Sequence, residues 1–119
     1  MTYDLNLPAD CPLASVEEFV GIAYRAVQTN PPTQDDLLTY LELDKAKKVD
    51  DCKRGSVSLY EKFEDAQHLI ETRPYVGKFV ASVTLTTAHG KVSKPTSSGH
   101  IDWWPYKNMR RVDDLKVIK

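Results

Sequence analysis

From Lys78 to Thr86 the chain reads Lys-Phe-Val-Ala-Ser-Val-Thr-Leu-Thr, with no glycine, proline, aspartate or asparagine. A stretch this dense in β-branched and aromatic side chains, unbroken by turn formers, fits a strand and leaves little room for anything else. It needs partners, and the segments after it can supply them. His89-Gly90 is a turn, and Lys91-Val92-Ser93 can start a return strand. Lys94 to Gly99 has loop chemistry, His100 to Trp104 reads as a further strand stopped by Pro105, and Asp114 to Ile118 as a last short one.

The first half has a different texture. Ser15-Val16-Glu17-Glu18 forms a capping box. Val16, Phe19, Val20, Ala23, Tyr24 and Val27 follow at helical spacing, and Pro31-Pro32 ends the pattern. A second helix is expected after Thr33, with Asp35 and Asp36 in its first turn, fading near Leu43. A strand over Ser56 to Tyr60 alternates with period two, and a third helix runs from about Lys62 to Thr72, closed by Arg73-Pro74. Residues 1–14 read as an irregular lead-in and 44–53 as a charged, exposed loop. Helices first and strands later, with no βαβ alternation beyond one unit, favour an α+β fold. The expectation is about three helices, then a mainly antiparallel sheet of about four strands, in a single domain.

At 119 residues, 41% hydrophobic and 28% charged, the chain suits one ordinary globular domain. The longest run of apolar residues and glycine, Phe19 to Tyr24, is far short of the ~20 residues a membrane-spanning helix needs. No secretory signal is visible at Met1-Thr2-Tyr3-Asp4. Cys11 and Cys52 sit in unrelated contexts with no CxxC and no metal-ligand spacing. Two reduced thiols in a cytosol are therefore expected, with no metal and no cofactor.

The formal net charge is −1, unevenly laid out. Residues 1–52 are net acidic and 53–119 net basic, a pattern that hints at an anionic partner unless the two halves pack together and cancel. The densest unusual segment is Gly99-His100-Ile101-Asp102-Trp103-Trp104-Pro105-Tyr106. Adjacent tryptophans on a strand face opposite ways, so one can anchor a core while the other offers a flat face for stacking. With Tyr106, Lys107, Arg110 and Arg111 they could form a surface for an anionic or aromatic ligand, single-stranded nucleic acid included. The same residue types also suit a protein interface. On that strand His100 and Asp102 share a face, as acid–base sites require. Arg54 and Ser58, on and beside a strand edge, are the other chemistry-bearing pair. No phosphate-cradling glycine motif and no GxSxG is present.

The layout Asp35-Asp36-Leu37-Leu38-Thr39-Tyr40-Leu41-Glu42, then Cys52 to Tyr60, then Glu64-Asp65-Ala66 and Gly99 to Pro105 resembles small bacterial proteins of similar length, a group that lends no activity. The order of an arginine-bearing strand, a Ser-x-Ser strand running into a helix, and a later strand with a polar residue is similar to ADP-ribosyltransferase-like folds. That resemblance implies Arg54 near the phosphates of a nicotinamide dinucleotide and Ser58 near its ribose. His100 or Asp102 then stands where the family has a late glutamate. The expected functions are therefore a small cytosolic binding module, an ADP-ribosyltransferase-like enzyme using Arg54, Ser58, His100 and Asp102, or a protein-interaction subunit.

Overall fold

The computed structural model describes residues 2–12, 19–43 and 50–119. Within them the chain forms one six-stranded antiparallel sheet, two α-helices and three 3-10 turns. The strands are β1 (Gly21–Val27), β2 (Val57–Tyr60), β3 (Phe79–Leu85), β4 (Gly90–Val92), β5 (His100–Pro105) and β6 (Leu115–Val117), ordered β4-β5-β2-β1-β3-β6. The helices are α1 (Asp51–Arg54), a single turn, and α2 (Phe63–Thr72). The α+β class and single compact unit agree with the sequence reading; the number of helices and strands does not.

The largest correction lies at β1. Residues expected in the first helix form the central strand, paired with β3 along its whole length from Gly21↔Leu85 to Val27↔Phe79. β1 carries apolar residues on both faces, Ala23 and Val27 buried and Ile22 51% exposed, so they fit a helical template as easily as an alternating one. Pairing with the unbroken β3 segment overrides the helical periodicity. The capping box at 15–18 lies outside the described residues. The second expected helix shrinks to a 3-10 turn, Gln34–Leu37, with Thr33 and Asp36 forming its capping box. Of the charged loop, 44–49 also lies outside the described residues. The remainder enters α1, where Asp50 accepts the Lys53 N–H at 2.9 Å.

All six strands send apolar side chains to one inner face: Ala23 and Val27, Val57 and Leu59, Ala81, Val83 and Leu85, Val92, Ile101 and Trp103, and Leu115. The sheet thus curls around its own core. On the outer face α2 carries the chain from β2 to β3 across β1, docking Phe63 edge-on against Tyr24 with ring centroids 6.1 Å apart.

The N-terminal arm returns beside the end of β5. Tyr3 bridges Tyr106, and the Asp4 N–H donates to the Pro105 carbonyl at 2.9 Å. This brings Cys11 to Cys52, and the two form a disulfide with Cα atoms 5.5 Å apart. The expected pair of reduced thiols is corrected: chain reversal at the arm, invisible in the cysteine spacing, joins them. No described helix is long and apolar enough to cross a membrane.

Candidate functional site

Strands β2 and β5 pair with Ser58 opposite Asp102 and Tyr60 opposite His100. Side chains directly opposite share a face, so Ser58, Tyr60, His100 and Asp102 all point to the side away from Leu59 and Ile101. The diagonal neighbours meet: Ser58 Oγ lies 2.6 Å from His100 Nε2. Ser56 Oγ lies 3.0 Å from Asp102 Oδ1 and 2.7 Å from the Lys53 carbonyl, its single proton shared between them. Asp102 Oδ1 is 3.6 Å from His100 Nε2, beyond hydrogen-bond reach yet close enough to stabilise a protonated ring. Ser58 and Asp102 approach the same ring nitrogen, so this is not a relay through both nitrogens. The Asp102 N–H donates to Ser93 Oγ at 2.8 Å, which fixes the carboxylate's origin, and the Tyr60 ring packs edge-on against His100. Burial pushes the Tyr60 phenol above its ordinary pKa.

Ser56, Ser58, His100 and Asp102 line a cleft of about 580 Å³ that opens where β1 and β2 diverge. The two strands register at Tyr24 opposite Tyr60, in contrast to the full-length pairing of β1 with β3. The seam leaves backbone carbonyls to be satisfied otherwise, and Arg25 does it. Its Nη1 donates to the Ser58 carbonyl at 2.7 Å and its Nε to the Asp36 carbonyl at 2.6 Å. Burial lowers the guanidinium pKa to about 10, against the raising influence of Tyr40 and Asp36. It stays protonated at neutral pH. A guanidinium has five N–H donors. Among the described residues Arg25 forms no ion pair, because the Asp36 carboxylate is turned to the Gln28 N–H, the Thr29 hydroxyl and the Thr33 N–H. The cleft therefore contains a fixed cation with donors to spare. Lys53 adds a second positive charge to its lining. At the rim stand Tyr75, 77% exposed, and Leu43, 43% exposed.

Of the four residues grouped from sequence as an enzyme site, Ser58, His100 and Asp102 meet in this cleft. Arg54 does not line it; it sits on α1 with Nη1 2.6 Å from Asp51 Oδ1. Arg25, not Arg54, is the arginine in the cleft lining. The signal for Arg25 was an arginine inside an otherwise apolar run, which a helical reading spends on the helix dipole. The C-terminal stacking surface is corrected. Trp103, Trp104 and Tyr106 are all buried, Tyr106 bridged to Tyr3 of the returning N-terminal arm. Both indole N–H groups are satisfied internally, Trp103 by the His89 carbonyl at 3.1 Å and Trp104 by the Cys52 carbonyl at 2.9 Å. Arg110 is drawn inward to Asp4, Glu42 and the Leu37 carbonyl. Arg111 pairs with Asp114 at 2.9 Å, and Lys107 is exposed. His89 is a turn residue whose Nδ1 accepts the Thr86 N–H at 2.9 Å, and His68 faces outward on α2. Among the described residues no three His, Cys, Asp or Glu side chains gather as a metal site.

No protein-family model matches the chain, and no curated protein or solved structure matches it either.

Proposed function

We propose that this protein is a small ADP-ribosyltransferase-like enzyme that breaks the N-glycosidic bond of a nicotinamide dinucleotide in the cleft between β1, β2 and β5. One observation carries the reading: Ser58, His100 and Asp102 meet within hydrogen-bonding and ion-pairing distance in a cleft that Arg25 also lines, its guanidinium on the Ser58 carbonyl. The order of elements named in the resemblance supports the reading with Arg25 taken in place of Arg54. Arg25 is on a strand, Ser56-Val57-Ser58 leads into α2, and His100 and Asp102 lie on a later strand.

The chemistry follows from charge. Departure of neutral nicotinamide leaves an electron-deficient ribose C1′, and a nearby carboxylate stabilises the positive charge as it develops. Asp102 supplies that carboxylate. Ser58, held by His100, positions the ribose, while Arg25 and Lys53 bind the diphosphate. Tyr75 at the rim offers a flat face to a base. The disulfide supports work in an oxidising compartment rather than in a reducing cytosol.

The test is release of nicotinamide from NAD, followed by chromatography, in the wild type and in Ser58→Ala, His100→Ala and Asp102→Asn. Release by the wild type, reduced about a hundredfold or more in Asp102→Asn, is the expected result. No release by folded wild-type protein, or equal release by all three variants, would overturn the reading.

A further inference from the structure

Strand β5 serves more than the cleft. His100, Asp102 and Trp104 follow one another at alternate positions and so point to the same side. His100 lines the cleft, Trp104 lines a second cavity of about 540 Å³, and Asp102 lines both, as do Lys53 and Thr96. The two spaces are neighbours along one strand with the Asp102 carboxylate between them. The second cavity's remaining walls are largely apolar: Pro8, Ala9 and the Cys11–Cys52 disulfide, beside the Trp104 indole. Four acids, Asp10, Asp50, Asp51 and Asp102, face two lysines, Lys53 and Lys94, and unlike the cleft this cavity holds no arginine, which disfavours an anionic occupant.

We propose that this cavity is the acceptor subsite of the cleft's reaction, taking a neutral molecule with a flat apolar body and a hydroxyl nucleophile. The proposal rests on the glycosidic reading above. In the step, the C1′–N bond breaks and nicotinamide leaves with its electron pair. The acceptor oxygen forms the new C1′–O bond, and its proton passes to the Asp102 carboxylate and then to water. Atoms and charge balance with no oxidant or reductant. An apolar cavity next to the reacting carbon favours such an acceptor over water by holding it in place.

The probe is 4-nitrobenzyl alcohol, whose nitroaromatic ring quenches indole emission. With the wild type, saturable quenching of tryptophan fluorescence is expected. Ala9→Phe, which fills the exposed mouth of the cavity, is expected to weaken it roughly tenfold. The anion 4-nitrobenzoate is expected to quench without saturation. With NAD present, mass spectrometry is expected to find an ADP-ribosyl ether of the alcohol, lost in Ala9→Phe. Non-saturable quenching indifferent to Ala9→Phe would overturn the subsite whether or not nicotinamide is released. Release without any ether would overturn the acceptor role alone. Saturable, Ala9-sensitive quenching without release would overturn the glycosidic reading, and the acceptor role with it.

Discussion

Single residues in this fold do work that their sequence neighbourhoods hide. Arg110 is the clearest case. Its side chain, 9% exposed, ties the N-terminal arm through Asp4 to the Thr39–Glu42 turn through both Glu42 oxygens, and caps the Leu37 carbonyl. Burial alone would raise the Glu42 pKa, but hydrogen bonds from Arg110 and from the Thr39 N–H outweigh it and hold the carboxyl below its ordinary value. A depressed carboxylate pKa stabilises the native state above the unfolded-state value and loses that contribution as pH falls through the folded one. The thermal midpoint is therefore expected to fall as pH drops below about 4.5, less steeply in Glu42→Gln than in the wild type. Equal slopes would assign the acid sensitivity to other carboxylates. Gly90 is a second case. It has φ +139°, and a Cβ there would collide with the Trp104 carbonyl. Gly90→Ala is expected to cost about 2 kcal/mol or more in denaturant unfolding, far above an ordinary surface substitution. In the sequence this glycine reads only as half of a turn.

Elements were legible where the two faces differ in polarity and illegible where both carry apolar residues. Strands β2 and β5 alternate cleanly, because Ser58, Tyr60, His100 and Asp102 face outward from Val57, Leu59, Ile101 and Trp103. α2 carries acids at its start and a proline after its end, and it forms where expected. β1 offered no such contrast, and Arg25 was the one polar residue that could have marked it. Arg25, on that strand, lines the cleft, whereas Arg54 does not. Three members of the cluster were legible because they sit on the half-buried strands; the fourth belongs to the strand that was not. The tryptophan pair was misjudged for a related reason. Alternation places Trp103 and Trp104 on opposite faces, but only tertiary contact with the arm and with Cys52 covers the second one. Trp104→Phe removes that indole's bond to the Cys52 carbonyl while keeping most of the ring. It is expected to cost about 1–3 kcal/mol, measured by chemical unfolding, and a cost near zero would mean the α1 turn is held by the disulfide alone.

At the scale of the whole molecule, the acidic and basic halves of the chain interleave, as Asp4 and Glu42 meeting Arg110 show. The Cys11–Cys52 bond spans 41 residues and closes into one loop the chain that contains β1, tying the N-terminal arm to α1. Constraint of the unfolded chain by a loop of that length stabilises by about 4 kcal/mol. The Cys11→Ser, Cys52→Ser double variant is expected to melt on the order of 15 °C lower, and a wild-type midpoint indifferent to reductant would show the bond absent in solution. The central claim is that a nicotinamide dinucleotide occupies the cleft beside His100. The chain has three histidines, placed on the outer side of α2, in the β3–β4 turn and in the cleft, so their imidazole NMR signals report three separate regions. Titration with NAD is expected to shift the His100 ring resonances saturably and leave those of His68 and His89 in place. Shifts confined to His68 or His89, or none at all up to millimolar NAD, would contradict the assignment of the cleft.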